Sequence, residues 1–325
     1  MEIKQQPIEF IPYLKTVIWG GYKIKEYKNI VAQQEKIGES WEISGVPGHV
    51  SIVSEGPYKG KNLNELIEEF GPQLLGEDVL KKYGKNFPLL IKFIDAADNL
   101  SIQVHPDDKL AKKRHGSLGK TEMWYVIATD EKAKIFVGLK EQLNPEEYQK
   151  RVKDGTFAKA LAVYDSHPGD IFFLPAGRVH AIGAGNLLAE IQETSDVTYR
   201  IYDYDRRDAN GNPRELHTEL AKDAIDYKVL DNYKTESVST KSQVSLIGQC
   251  EHFTTKLLNI DGEQKLDFSS KTFHILVGIE GKCKLVYPEG SKELKPGYSV
   301  LLPATMQSIQ IQGKGKILLT SSMPD

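Results

Sequence analysis

Cysteine is nearly absent: the 325 residues hold two, Cys250 and Cys283, with no metal-type spacing between them. That excludes a disulfide framework and a thiolate metal site, and both read as reduced thiols. Long apolar runs are also missing. No stretch approaches the ~18–20 residues a helix needs to cross a bilayer, so no membrane partner is expected. The opening "MEIKQQPIEF" lacks the basic region and apolar stretch of a secretory signal, and a cytoplasmic location is the expectation. Neither sign of charge dominates. Lys and Arg number 42 against 45 Asp and Glu, a net of −3 with no long block of one sign, so no nucleic-acid partner is expected.

The chain is too long for one ordinary core and points to two domains, or to one with a satellite. Its β-rich runs are short: 87–95, 122–128, 133–139, 170–176, 273–279 and 298–304, punctuated by Gly, Pro and Asp. These predict a mainly β protein built as sandwich or barrel. Helical inserts interrupt the strands at about 60–86, 143–162 and 215–230. The second opens with Asn144 as N-cap, Pro145 at the first helical position and Glu147 at the capping-box position. The polar stretch 231–243 follows the third and sets the expected boundary, dividing a domain 1–235 from a domain 236–325.

An internal repeat supports that division. Residues 169–180 read "GDIFFLPAGRVH" and residues 297–308 read "GYSVLLPATMQS". Upstream, the segment from Thr121 lies beside the segment from Thr272, which sets Phe273 opposite Glu122. Thr305 and Ser308 stand opposite Gly177 and His180. The second copy has lost whatever polar site the first carries.

In "LSIQVHPDD" (100–108), alternation puts Ser101, Gln103 and His105 on one face of a strand and Leu100, Ile102 and Val104 on the other. Gln103 and His105, Glu122 on the next strand and His180 after the "PAG" turn can converge. Two imidazoles, a carboxylate and an amide oxygen suit a borderline divalent ion such as zinc and leave a position open for substrate. Each residue alone is a weak signal. The i, i+2 pairing and the loss of the set from the second repeat strengthen it.

The pattern G-x5-P-x-G-x2-H of 169–180 resembles the second cupin motif, although Ala184 stands where an asparagine usually falls. The ordered motifs "GESWEIS", "LSIQVHPDD", "GKTEMWYV", "LPAGRVHAI" and "EIQETSDVTYRIYDYDR" are similar to those of the type I mannose-6-phosphate isomerases in their short bacterial form. The resemblance covers nearly the whole chain. It implies two cupin-type jelly-roll domains with inserted helices, the C-terminal one without metal ligands. It also implies that Gln103, His105, Glu122 and His180 bind Zn2+, one ion per chain. Arg200 would be the active-site arginine, with Lys120, Glu190 and Asp196 facing the cavity and Ser101 near the sugar phosphate. Arg206 stands where longer members carry a phosphate-binding lysine, and Ile182 where they often carry tyrosine.

The implied activity interconverts mannose 6-phosphate and fructose 6-phosphate by moving a proton between C2 and C1 through an enediol. A bound zinc ion polarises the adjacent oxygen, and Arg200 stabilises the enediolate or holds the phosphate. Glu190, raised by burial, and Lys120, lowered by burial and metal charge, are alternative bases. Two competing functions are an iron-dependent cupin dioxygenase and a non-enzymatic sugar-phosphate-binding cupin. Trp41 and Glu42 of "WEIS" read as core, and His49, His115, His167, His217, His252 and His274 as structural or exposed. Oligomeric state is left open.

Overall fold

The computed structural model describes residues 2–208, 210–236 and 242–322. Part of the expected boundary stretch, 237–241, lies outside the described residues. Three antiparallel sheets carry a mainly β fold. One has six strands, in the order Ile171–Leu174, Glu122–Thr129, Asn186–Glu193, Leu89–Ala96, Glu39–Ile43 and Tyr13–Lys15. A second has five: Tyr199–Tyr202, Ile102–Val104, His180–Ile182, Lys134–Leu139 and Leu161–Asp165. The third is eight-stranded and draws mostly on residues beyond 243. Two short strands from the other end of the chain, Ile8–Ile11 and Ile52–Val53, complete it.

Strand alternation decides what each face meets. In the six-stranded sheet, Ile91, Phe93, Met123, Tyr125, Ala189 and Ile191 share a core with Ile275, Val277 and Leu318 of the eight-stranded sheet. Their neighbours Ile94, Trp124 and Leu188 point the other way, onto Ile135, Val137 and Ile182 of the five-stranded sheet. The outer face of that sheet buries Ile102, Val104, Tyr199 and Ile201 under helical residues such as Tyr148 and Ala221. Ser101, Gln103 and His105 are thereby turned into the space between the five- and six-stranded sheets.

All three expected inserts hold helix: Leu63–Phe70, Pro72–Leu75 and Glu77–Tyr83 in the first, Pro145–Lys153 in the second, Thr218–Ala224 in the third. The Asn144 capping box forms, with the Glu147 N–H donating to Asn144 Oδ1 at 2.8 Å and the Asn144 N–H to Glu147 Oε2 at 2.9 Å. The third helix is shorter than expected because the Asp226 N–H leaves it to donate to Gly177 O at 2.8 Å. The helix Asp108–His115 falls outside the expected inserts. It buries only Ala111, so it has no apolar stripe to read, and Asp107 caps it by accepting the Leu110 N–H at 2.8 Å.

The repeat is visible in the backbone. Ile171–Leu174 and Ser299–Leu302 are equivalent strands, His180 and Ser308 each begin the strand that follows, and Gly169 and Gly297 open the turns with φ of 91° and 81°. The upstream alignment needs a correction of one residue. Leu174 pairs with Glu122 and Leu302 with His274, so the counterpart of Glu122 is His274, not Phe273. A slip of one residue exchanges the faces of a strand, so register decides here.

Candidate metal centre and active site

The five-stranded sheet places Gln103 at the junction of three strands: its pairing partners are His180 on one side and Arg200 on the other. His105 follows it on the same face. Glu122, at the head of its strand in the six-stranded sheet, reaches across from the opposite wall. The result is a cluster in which ligating atoms of His105, Glu122 and His180 all lie within 4.8 Å of one another. Glu122 Oε2 is 3.5 Å from His105 Nε2, and Oε1 is 3.2 Å from His180 Nε2. The Gln103 amide lies 3.4 Å from His180 Nε2, and reversing it presents oxygen at the same point.

Both imidazoles are held by their other nitrogen. His105 Nδ1 donates to Val197 O at 2.9 Å and His180 Nδ1 to Arg178 O at 2.8 Å. That tautomer leaves the Nε2 lone pairs aimed at the cluster. Burial pushes His180 down to about 4 and His105 well below its ordinary value, so both are neutral, as a ligand must be. Burial pushes Glu122 up to about 7. It is fully buried, yet neither oxygen takes an aligned hydrogen bond, although Lys120 Nζ lies 2.8 Å from Oε2. A buried carboxylate that faces two imidazole lone pairs, and whose desolvation the neighbouring Lys120 and Lys92 charges offset only in part, fits a divalent cation.

Above the cluster opens a cavity of about 350 Å³. Ser101, Gln103, Lys120, Glu190, Asp196 and Arg200, all expected at the site, line it. Arg206 does not. It is bound instead to Asp203 Oδ1 at 2.6 Å and lies 3.3 Å from Asp98 Oδ2. Arg214 lines the cavity, held to Asp203 by its Nε at 2.7 Å. Arg200 donates to Glu215 O at 2.9 Å, while its buried Nε has no hydrogen-bond partner.

The two candidate bases depart from expectation. Burial raises Glu190, but Lys120, Lys92 and the Trp124 indole, which donates at 2.8 Å, outweigh it and the carboxyl ends below its usual range. Burial lowers Lys120, but Glu122 and Glu190 outweigh it and the ammonium ends above. Each group is therefore held in its charged form.

Sequence reasoning missed Glu39, Lys92, Trp41, Arg214 and His217, which also line the cavity. Trp41 Nε1 donates to Glu39 Oε2 at 2.7 Å, and Lys92 Nζ stands 3.2 Å from Glu190 Oε1 and 3.7 Å from Glu39 Oε2. A signal existed: Lys92 is the one charge inside the apolar run 87–94, where a buried lysine needs a partner. Glu42, beside Trp41, is turned to the other face and pairs with Lys28 at 2.7 Å.

The family model for the catalytic domain of type I phosphomannose isomerase matches residues 10–162, and that for the cupin domain of mannose-6-phosphate isomerase matches residues 243–322. The mannose-6-phosphate isomerase ManA of Bacillus subtilis is 34% identical over 97% of this chain and 98% of its own. The mannose-6-phosphate isomerase of Streptococcus mutans is 34% identical over 98% of each. The crystal structure of a mannose 6-phosphate isomerase from Bacillus subtilis superposes with a TM-score of 0.87 at 37% identity, over 97% of this chain and 99% of that one. With two cupin-type halves, a carboxylate clustered with two histidines next to a cation-lined cavity, and relatives matched end to end, the chain belongs to the type I phosphomannose isomerase family.

Proposed function

We propose that this protein is a zinc-dependent isomerase that interconverts mannose 6-phosphate and fructose 6-phosphate through an enediol, using the cavity between the five- and six-stranded sheets. The observation that carries the reading is the buried Glu122 carboxylate, without aligned hydrogen bonds, facing the Nε2 atoms of His105 and His180 behind Gln103 and Lys120, which line that cavity. Those three residues and Gln103 would hold the zinc. When bound, zinc supplies Lewis acidity toward a sugar oxygen.

The cavity suits an anionic substrate, since Lys15, Lys92, Lys120, Arg200 and Arg214 line it against Glu39, Glu190 and Asp196. Arg214, not Arg206, is the second arginine available to a phosphate. Ser101 offers a hydroxyl, and Asp196, exposed at the wall, offers an acceptor to sugar hydroxyls. A base must be unprotonated, and Glu190 is the group held that way. Glu190 takes the proton from C2 and returns it at C1, while the hydroxyl proton passes from O2 to O1. Lys92 and Trp124 fix its position. Lys120, an ammonium beside the cluster, and Arg200, with a guanidinium N–H to spare, stabilise the negative charge that develops on oxygen.

The division near residue 235 into two β-domains fits the same reading, with residues 8–11 and 52–53 crossing to the C-terminal sheet. A coupled assay on mannose 6-phosphate, run as purified, after chelation and after zinc restoration, tests the function. Loss and recovery of turnover are expected. Full turnover in metal-free protein overturns the zinc dependence, and no turnover in zinc-loaded protein overturns the substrate.

A further inference from the structure

A second cluster of ligating side chains lies where the catalytic half meets the C-terminal sheet, and it shares no residue with the first. Ligating atoms of Asp108, Glu193 and His252 all fall within 4.8 Å of one another. Asp108 begins the helix Asp108–His115, and Glu193 ends the strand Asn186–Glu193. His252 sits in the turn between Val244–Gln249 and Thr254–Asp267. We propose that these three residues form a second divalent-cation site, suited to a first-row ion that accepts both carboxylate and imidazole, such as Mn2+, and that it ties the two halves together and braces the segment carrying Lys120.

Glu193 and His252 are 2% and 7% exposed, and their facing atoms, Oε1 and Nδ1, lie 3.1 Å apart. Neither atom makes an aligned hydrogen bond. The other polar atoms are engaged: the Thr121 N–H donates to Glu193 Oε2 at 2.8 Å, and the Gly119 N–H donates to Asp108 Oδ1 at 2.7 Å. His252 Nε2 faces Glu251 Oε1 at 3.8 Å, which favours the proton on Nε2 and leaves the Nδ1 lone pair toward Glu193. Burial, with the Asp108 charge adding to it, pushes Glu193 up to about 8, and burial pushes His252 down. Left to themselves both are driven neutral, and the pair is reduced to a single hydrogen bond from the protonated Glu193 carboxyl to His252 Nδ1, a proton that a cation at the same place would displace. A dication reverses both penalties.

Two carboxylates and one imidazole are too nitrogen-rich for a dedicated Ca2+ or Mg2+ cage and lack the thiolate of a soft-metal site. Asp108 is exposed and provides the way in. The same two acids hold the backbone at Gly119 and Thr121, on either side of Lys120. Gly119 packs so closely that a Cβ there would stand 2.6 Å from Asp108 N. A cation drawing Asp108 and Glu193 together would stiffen the segment that delivers Lys120 and Glu122.

The test uses the full chain, loaded with zinc and freed of excess, so that it stands apart from the outcome of the isomerase assay. Titration with Mn2+, followed by the loss of the free-ion EPR signal, is expected to show about one further equivalent bound without release of zinc. Pulsed EPR should detect nitrogen coupling that disappears in His252→Ala. Asp108→Asn and His252→Ala should each weaken Mn2+ binding about tenfold or more while zinc content stays at the wild-type level. If His252→Ala does not fold, the exposed Asp108→Asn carries the comparison. No Mn2+ bound at millimolar concentration, displacement of zinc one for one, or binding unchanged in the variants overturns the site.

Discussion

The two copies of the repeat share a backbone and differ in what they bury. In each, a four-residue strand runs into a Pro turn, and the next strand starts at the same spacing, at His180 or at Ser308. The first copy directs His180 and Glu122 into its interior. The second has His274 at the register position of Glu122, stacked on Phe268 at 4.1 Å, while Met306, Ile309 and Ile311 fill the space with core. One frame therefore supports both a polar centre and an apolar one. The difference teaches that the turn and strands position side chains, and that the polar copy persists only if something offsets the cost of burying Glu122.

The largest effect is expected from removing a ligand in one copy and its counterpart in the other. His180→Ala should lose bound metal and fall to background turnover, whereas Ser308→Ala should change stability by only about 0.5 kcal/mol and leave metal untouched. Elemental analysis beside the coupled assay checks both, and full metal occupancy in His180→Ala would remove His180 from the ligand set.

Next comes Arg200, which contacts the cavity but not the metal cluster. Arg200→Ala should lower kcat by roughly two to three orders of magnitude with metal content and Tm near wild type. Arg200→Lys should rescue poorly, because an ammonium lacks the planar fork. A change confined to KM reassigns the residue to binding.

The apolar copy should answer in stability instead. Phe273 is fully buried, with its ring 4.8 Å from that of Phe87. Phe273→Ala should cost about 3–5 kcal/mol in denaturant unfolding and leave metal stoichiometry unchanged. Loss of metal in that variant would mean the two copies are not energetically separate.

The polar copy alone should show proton-linked metal binding. Below about pH 7 Glu122 holds a proton that metal must displace, while His180, lowered to about 4, and His105 are already neutral. One proton is thus released per ion, and apparent zinc affinity should weaken by about tenfold per unit as pH falls from 7 toward 5. Competition with a chelator measures it, and a flat profile would mean that Glu122 is already ionised before metal binds. The smallest effect is expected from Arg206→Ala, outside the cavity: about 1 kcal/mol of stability from its bonds to Asp203, and little change in KM.

Much of the site is legible in the order of the residues. Alternation in 101–105 separates Gln103 and His105 from the core, and the capping box at Asn144 marks a helix start. The helix at 108–115 is not legible, since its stability comes from an Asp cap and docking and not from an apolar stripe. Neither is the pairing of Glu39 with Lys92, whose residues lie in different strands of the chain. The one-residue slip at His274 has the same origin: similarity of apolar letters does not report hydrogen-bond register.

By itself the sequence determined the local facts: which residues share a strand face, where glycine permits a turn, and which donors exist, because these follow from sterics and chemistry within a few residues. Only the tertiary structure decided that Glu122 meets two histidines from the opposite sheet, that Arg214 and not Arg206 reaches the cavity, and that His252 faces Glu193 from the other half. Those outcomes depend on how sheets stack and register, and contacts between distant segments are set by packing the whole core at once.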